Sequence, residues 1–189
     1  MSPTHSFPFG EPISWSEQPR LPKCTTNLTS WLLANGSLTE KLKACCQNFE
    51  VKVLGEALLL PFAEEMPQQS KVWVREVLLC LDEIPWVFAR TLIPAPLLEQ
   101  TQVDFKGLGT QPLGQLLYSH HQFIPGDIQV AESLPNGAIS QLAQSLGQPC
   151  QHVWGRRRFF TYKNHQMTVS EFFLPHAVAQ IEILEAVPN

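Results

Sequence analysis

The stretch Trp73-Val74-Arg75-Glu76-Val77-Leu78-Leu79-Cys80-Leu81, then Asp82-Glu83-Ile84-Pro85, then Trp86-Val87-Phe88-Ala89-Arg90-Thr91-Leu92-Ile93, decides the fold. Val, Trp and Phe enrich both arms, 71–81 and 86–93, and the polar, proline-bearing segment between them reads as the turn of a β-hairpin. These arms are expected to be central strands. Period-two alternation sets Arg75 on one face with Trp73, Val77 and Leu79, and Arg90 beside Trp86, Phe88 and Leu92. A two-residue loop at Asp82-Glu83 pairs Leu81 with Ile84, and that register brings Arg75 opposite Arg90. Like charges opposed on one strand pair cost energy unless an anion lies between them. The plainer alternative gives each arginine an internal carboxylate, such as Glu76 or Glu56, or lets it snorkel to solvent.

Working outward from the hairpin, Phe49 to Leu60 alternates and then turns uniformly apolar, which predicts another strand, with a polar loop over Pro61 to Ser70. Upstream, Trp31, Leu32 and Leu33 form a short apolar turn stopped by Asn35-Gly36, and Ser37-Leu38-Thr39-Glu40 reads as a capping box. Two tandem helices are expected there. Downstream, Pro94 to Leu98 is a helical turn, Gly107 to Gln111 a loop, and Pro112 to His120 a helix. Gln122 to Leu134 is strand-like with a Pro125-Gly126 interruption. Residues 135–149 are an excursion with one amphipathic helix. Gln151 to Tyr162 and Gln166 to Leu174 flank Lys163-Asn164-His165 as a terminal hairpin. The order of elements points to an α+β fold with a single antiparallel sheet.

Length and composition narrow the function. The 189 residues fit one ordinary domain. Their formal net charge of −4 gives no support for a phosphate-binding surface, so nucleic acid is not an expected partner. Sixteen prolines favour short, interrupted elements. The longest apolar runs fall well short of the roughly 20 residues a bilayer needs, and Met1 to Gly10 has no secretory pattern, so a cytoplasmic protein is expected. The five cysteines include no C-x-x-C pair and read as free thiols, with Cys80 an inert buried one; no metal site is expected. His120 and His121 lack metal-ligand spacing and suit a helix end.

Glu171, in Thr168-Val169-Ser170-Glu171-Phe172-Phe173-Leu174, shares a strand face with Val169 and Phe173. Two cations, Arg75 and Arg90, and this carboxylate converging on one apolar sheet face describe a pocket for an anionic ring compound bearing a hydroxyl. The basic run Arg156-Arg157-Arg158 after Trp154-Gly155 reads as a strand with one side toward solvent.

Three blocks together resemble the chorismate lyase family: Trp73 to Cys80 with Pro85-Trp86 and Ala89-Arg90-Thr91; Pro112-Leu113-Gly114; and Trp154-Gly155-Arg156-Arg157 with Glu171-Phe172-Phe173-Leu174-Pro175. The resemblance covers residues 28–176, with 1–27 as an extended arm, 135–149 as an insertion and 177–189 as a tail. It implies a monomer, a sheet of about six strands, and helical flaps over a buried product site. It implies conversion of chorismate to 4-hydroxybenzoate and pyruvate, the first step of ubiquinone biosynthesis, without a cofactor. Position by position it gives Arg75 the ring carboxylate and Glu171 the ring hydroxyl, Leu113 a backbone contact, and Leu38 a place on a flap. Arg90 is then expected to hold the enolpyruvyl carboxylate or the ether oxygen, or to neutralise Glu171. The rival reading is a non-catalytic sensor of aromatic carboxylates with the same fold, which would need a DNA-binding module that 27 proline-rich residues cannot form.

Overall fold

The computed structural model describes residues 6–16, 24–67 and 70–185. Six strands, β1 (Phe49–Leu59), β2 (Val72–Leu81), β3 (Ile84–Ile93), β4 (Ile124–Glu132), β5 (Trp154–Tyr162) and β6 (His165–Phe173), form one sheet in the order β1-β2-β3-β6-β5-β4. Every pairing is antiparallel. The hairpin β2–β3 and the strand β6 beside it are interior, as their apolar content requires. Helices α1 (Thr26–Leu32), α2 (Leu38–Lys43), α3 (Ala95–Gln100), α4 (Leu113–Ser119), α5 (Ala138–Ser145) and α6 (Pro175–Glu185) complete the chain. The tail after Pro175 is therefore a helix.

The β2–β3 turn is the expected two-residue loop, with Asp82 and Glu83 at φ 47° and 72° and Leu81 paired with Ile84. This is the left-handed backbone of a tight hairpin turn. Within three residues the expected register fails. Cys80 pairs with Pro85 but Leu79 pairs with Val87, so Trp86 is an extra residue on β3. Such a bulge advances one strand by a residue and exchanges its faces. Arg75 consequently lies opposite Thr91, and Arg90 opposite Glu76. The two arginines occupy opposite faces of the sheet.

One face carries Val77, Leu79, Ala89 and Phe173, covered by Leu28, Trp31 and Leu32 of α1, Leu38 and Leu42 of α2, and Ala177 and Ile181 of α6. Leu113 and Leu117 of α4 pack with Val169 farther along that face. The other face carries Leu78, Phe88 and Phe172, covered by Phe9 and Ile13 of the arm and by Ile139 and Leu142 of α5. The arm and the 135–149 excursion thus share one task, roofing the far face. They are tied by Glu11, whose carboxylate accepts from the backbone N–H of Leu134 and Ile139, both at 2.8 Å. Trp15 tilts against Phe172, and Ser16 exchanges two 3.1 Å backbone bonds with Val130. Residues 1–5 and 17–23 of the arm and 186–189 of the tail lie outside the described residues.

The basic strand is also corrected. β5 lies between β6 and β4, so it is interior rather than a solvated edge. Arg156 and Arg157 are only 4% and 9% exposed. Arg157 points to the far face, its guanidinium 5.0 Å from the Trp15 ring, where burial pushes its pKa down to about 10.

Candidate active site

The alternation of three strands builds the site on the helix-covered face. Arg75 and Val77 on β2, Ala89 and Thr91 on β3, and Val169 and Glu171 on β6 all border one cavity. Ala89 pairs with both Val77 and Glu171. Two strand spacings of about 4.8 Å and two residues of about 3.4 Å then set the Arg75 and Glu171 Cα atoms roughly 12 Å apart. Side chains reaching inward from that separation set polar groups at opposite ends of the cavity. The walls between are apolar, and Thr91 and Gln111 add hydrogen-bonding groups.

Arg75 is 2% exposed. Its Nη1 donates to Glu56, the residue directly across β1, and its Nη2 donates to the Gly109 carbonyl at 2.6 Å. The carboxylate partner foreseen from sequence is therefore present, and it fixes the guanidinium fork at the cavity wall. At the opposite end, Glu171 Oε2 accepts from Arg156 Nε at 2.8 Å. Arg156 stands directly across β5 from Glu171.

Two helices close the cavity. Thr39 of α2 and Leu113 and Gly114 at the start of α4 line it, and a side chain at Gly114 would approach Thr39 Oγ1 to 2.9 Å. Leu38, expected on the flap surface over the ring, instead packs into the main core, and its neighbour Thr39 faces the cavity. The helical phase of α2 explains this. Ser37 caps α2 by accepting from Glu40 N–H, and the core-facing stripe then runs through Leu38 and Leu42. Before α2, Gly36 sits at φ 90°, a backbone that favours glycine, in the turn between α1 and α2. The cavity is about 30 Å³, far below the roughly 300 Å³ at which small-molecule pockets begin.

Arg90 does not reach this cavity. On the far face its Nε and Nη2 donate to Glu65 at 2.5 and 2.9 Å and its Nη1 donates to Glu76 at 2.6 Å. Burial pushes its guanidinium pKa down, but the bonds and charges of the two carboxylates more than offset this and leave it raised. Glu76 is fully buried and also accepts the Phe9 backbone N–H with both oxygens. Contrary to expectation, Arg90 therefore neither faces the cavity nor neutralises Glu171, whose partner is Arg156. The sequence signal for Arg156 was its motif next to Gly155, obscured by reading β5 as an edge. Cys80 is buried and its thiol pKa is raised by that burial, consistent with inertness. His120 caps the end of α4 and is exposed.

Two kinds of similarity bear on this geometry. By fold, the sheet and its helices resemble the effector domain of PhnF from Mycobacterium smegmatis, with a TM-score of 0.52, 16% identity, and coverage of 76% of this chain and 91% of that one. They also resemble the gene product SA0254 from Staphylococcus aureus, with a TM-score of 0.53, 13% identity, and 75% and 89% coverage. At these identities the likeness is one of fold. By sequence, a probable chorismate pyruvate-lyase of Shewanella sp. (strain MR-7) is 54% identical over 184 residues, 95% of this chain and 96% of the relative. Another, of Shewanella sp. (strain W3-18-1), is 57% identical over 174 residues, covering 91% and 94%. The family model for chorismate lyase matches residues 11–183, spanning both flaps, the cavity strands and most of α6, and so the chain belongs to the chorismate lyase family.

Proposed function

We propose that this protein is a chorismate pyruvate-lyase, a carbon–oxygen lyase that converts chorismate to 4-hydroxybenzoate and pyruvate, the entry step to ubiquinone. The observation that carries the reading is the apolar slot with Arg75 at one end and Glu171 at the other. Chorismate bears its ring carboxylate and hydroxyl at opposite ring positions, which suits that polarity.

In the reaction the bond from ring carbon to ether oxygen breaks and the hydroxyl-bearing ring carbon gives up its hydrogen. The enolpyruvyl methylene gains that hydrogen and becomes the methyl of pyruvate, while the ring becomes aromatic. The conversion is redox-neutral overall. Arg75 binds the ring carboxylate, Glu171 accepts from the ring hydroxyl, the Leu113 backbone contacts the ligand, and the flaps exclude water and hold the side chain over the ring. The work is positioning in a preorganised, dehydrated site. What favours an enzyme over a sensor of the same fold is the extent of identity to relatives named as lyases, against a likeness to effector domains that is one of fold only. The protein is expected to act as a cytoplasmic monomer. Incubation with chorismate should release pyruvate and 4-hydroxybenzoate in equal amounts; binding of 4-hydroxybenzoate without turnover of chorismate would favour the sensor.

A further inference from the structure

The two arginines of β5 that point to the cavity face, Arg156 and Arg158, hold the base of the flaps. Arg156 Nη1 donates to the carbonyls of Ala34 at 2.8 Å and Trp31 at 3.4 Å, at the C-terminal end of α1 and just before Gly36. Arg158 donates to Tyr118 Oη of α4 at 2.8 Å, to the Gly126 carbonyl at 2.6 Å and to Asn35 Oδ1 at 3.4 Å. One flap is therefore tied through Arg156 and both meet at Arg158. The same Arg156 guanidinium grips Glu171 through Nε.

We infer that Arg156 is a positioning residue that couples recognition of the ring hydroxyl at Glu171 to closure of the α1–α2 flap. The inference rests on the proposed placement of the hydroxyl on Glu171. A guanidinium is a rigid planar fork, so fixing one edge fixes the other. When a ring hydroxyl donates to the second Glu171 oxygen, the carboxylate stops rotating, the fork is held in one plane, and its Nη1 meets the Ala34 and Trp31 carbonyls. Without that hydroxyl one Glu171 oxygen is left to turn, the anchored arrangement is one of several open to the carboxylate and the fork, and the hinge is held for less of the time. Apolar burial alone would close the flap on any benzoate; this linkage makes closure depend on the substituent opposite the ring carboxylate. Arg156 would thereby set specificity without touching the ring.

The test is amide hydrogen exchange over α2, Leu38–Lys43, in the full chain, with saturating 4-hydroxybenzoate or benzoate. A hydrogen bond to a charged group is among the stronger ones, so 4-hydroxybenzoate should slow exchange about tenfold or more beyond benzoate in the wild type. Arg156→Lys keeps a cation beside Glu171 but lacks the fork, and there the difference should fall to within about twofold. A merely structural arginine would lower protection equally for both ligands and leave their ratio unchanged. Equal protection by the two ligands in the wild type overturns the coupling whatever the variant does. A wild-type ratio preserved in Arg156→Lys overturns the role of Arg156. If 4-hydroxybenzoate binds no better than benzoate at all, the placement of the hydroxyl on Glu171 fails instead.

Discussion

Glu76 and Arg90 stand directly opposite each other on β2 and β3 and share a 2.6 Å ion pair on the sheet face away from the cavity. Glu65 closes the other side of the guanidinium, and the Phe9 backbone donates to Glu76. A side chain at Gly10 would come within 2.4 Å of Arg90 Cζ, so the arm lies directly on this triad. Arg90→Ala leaves two buried carboxylates, Glu65 and Glu76, without the guanidinium that lies between them. Truncating one partner of a buried pair costs about 3 to 5 kcal/mol. Urea denaturation should show a loss of that size, and a change under 1 kcal/mol would contradict the structural role.

Arg75→Ala should act the other way. Its neighbour Glu56 is partly solvated and can rehydrate, so the fold tolerates the loss better. The ring carboxylate, in contrast, loses a desolvated charge-assisted contact worth about 2 to 5 kcal/mol. Turnover of chorismate, kcat/KM, should fall by at least about 30-fold with a melting temperature lowered far less than in Arg90→Ala. A collapsed fold with unchanged kinetics would reassign Arg75 as structural.

Sequence legibility followed the range of the physics. Alternation located β2, β3 and β6 and put Arg75 and Glu171 on one face, because a strand's own side chains fix its two faces locally. The tight turn at Asp82-Glu83 was equally local. The bulge at Trp86 was not legible, since an extra residue on one strand depends on packing of the indole against elements distant in sequence, and that one residue moved Arg90 to the far face. β5 misled for a related reason: its three arginines look like a solvated edge until β4 covers one side and the arm supplies Trp15. Leu38 and Thr39 were separated by helical phase, which a six-residue helix leaves open in sequence.

The flap predicts a kinetic signature. The cavity is small, α2 and α4 meet at Thr39 and Gly114, and the left-handed Gly36 stands in the turn before α2 as the proposed hinge. Rapid mixing with chorismate should give a burst of 4-hydroxybenzoate near one per site, followed by a slower phase limited by release. Gly36→Ala strains a φ of 90°, with nothing within 4 Å of the new methyl, and should alter the slow phase more than the burst. A linear time course with negligible product inhibition would reject flap-limited release.

The clasp between the arm and α5 should show in the pH dependence of stability. Burial raises the pKa of the Glu11 carboxyl, and its bonds from Ile139 and Leu134 offset this only in part. A carboxyl whose folded pKa lies above its unfolded value binds protons more readily when folded. The stabilisation is full below the unfolded value of about 4.3 and is lost as pH rises through the folded value. The wild type should therefore gain stability relative to Glu11→Gln as pH falls from 7 toward 4.5. Glutamine stands in for the protonated carboxyl, so the stability of the wild type relative to this variant follows the charge on Glu11. A wild type that loses stability relative to the glutamine variant on acidification would contradict this assignment.

Placement of the ring on the helix-covered face, between Arg75 and Glu171, carries the proposed function. It is tested most directly by a crystal structure of the complex with 4-hydroxybenzoate. The expected complex has the carboxylate on the Arg75 guanidinium, the hydroxyl on the Glu171 oxygen that Arg156 does not hold, and α2 and α4 closed over an enlarged cavity. A ring bound on the opposite face against Arg90, or bound with its ends reversed, would contradict it.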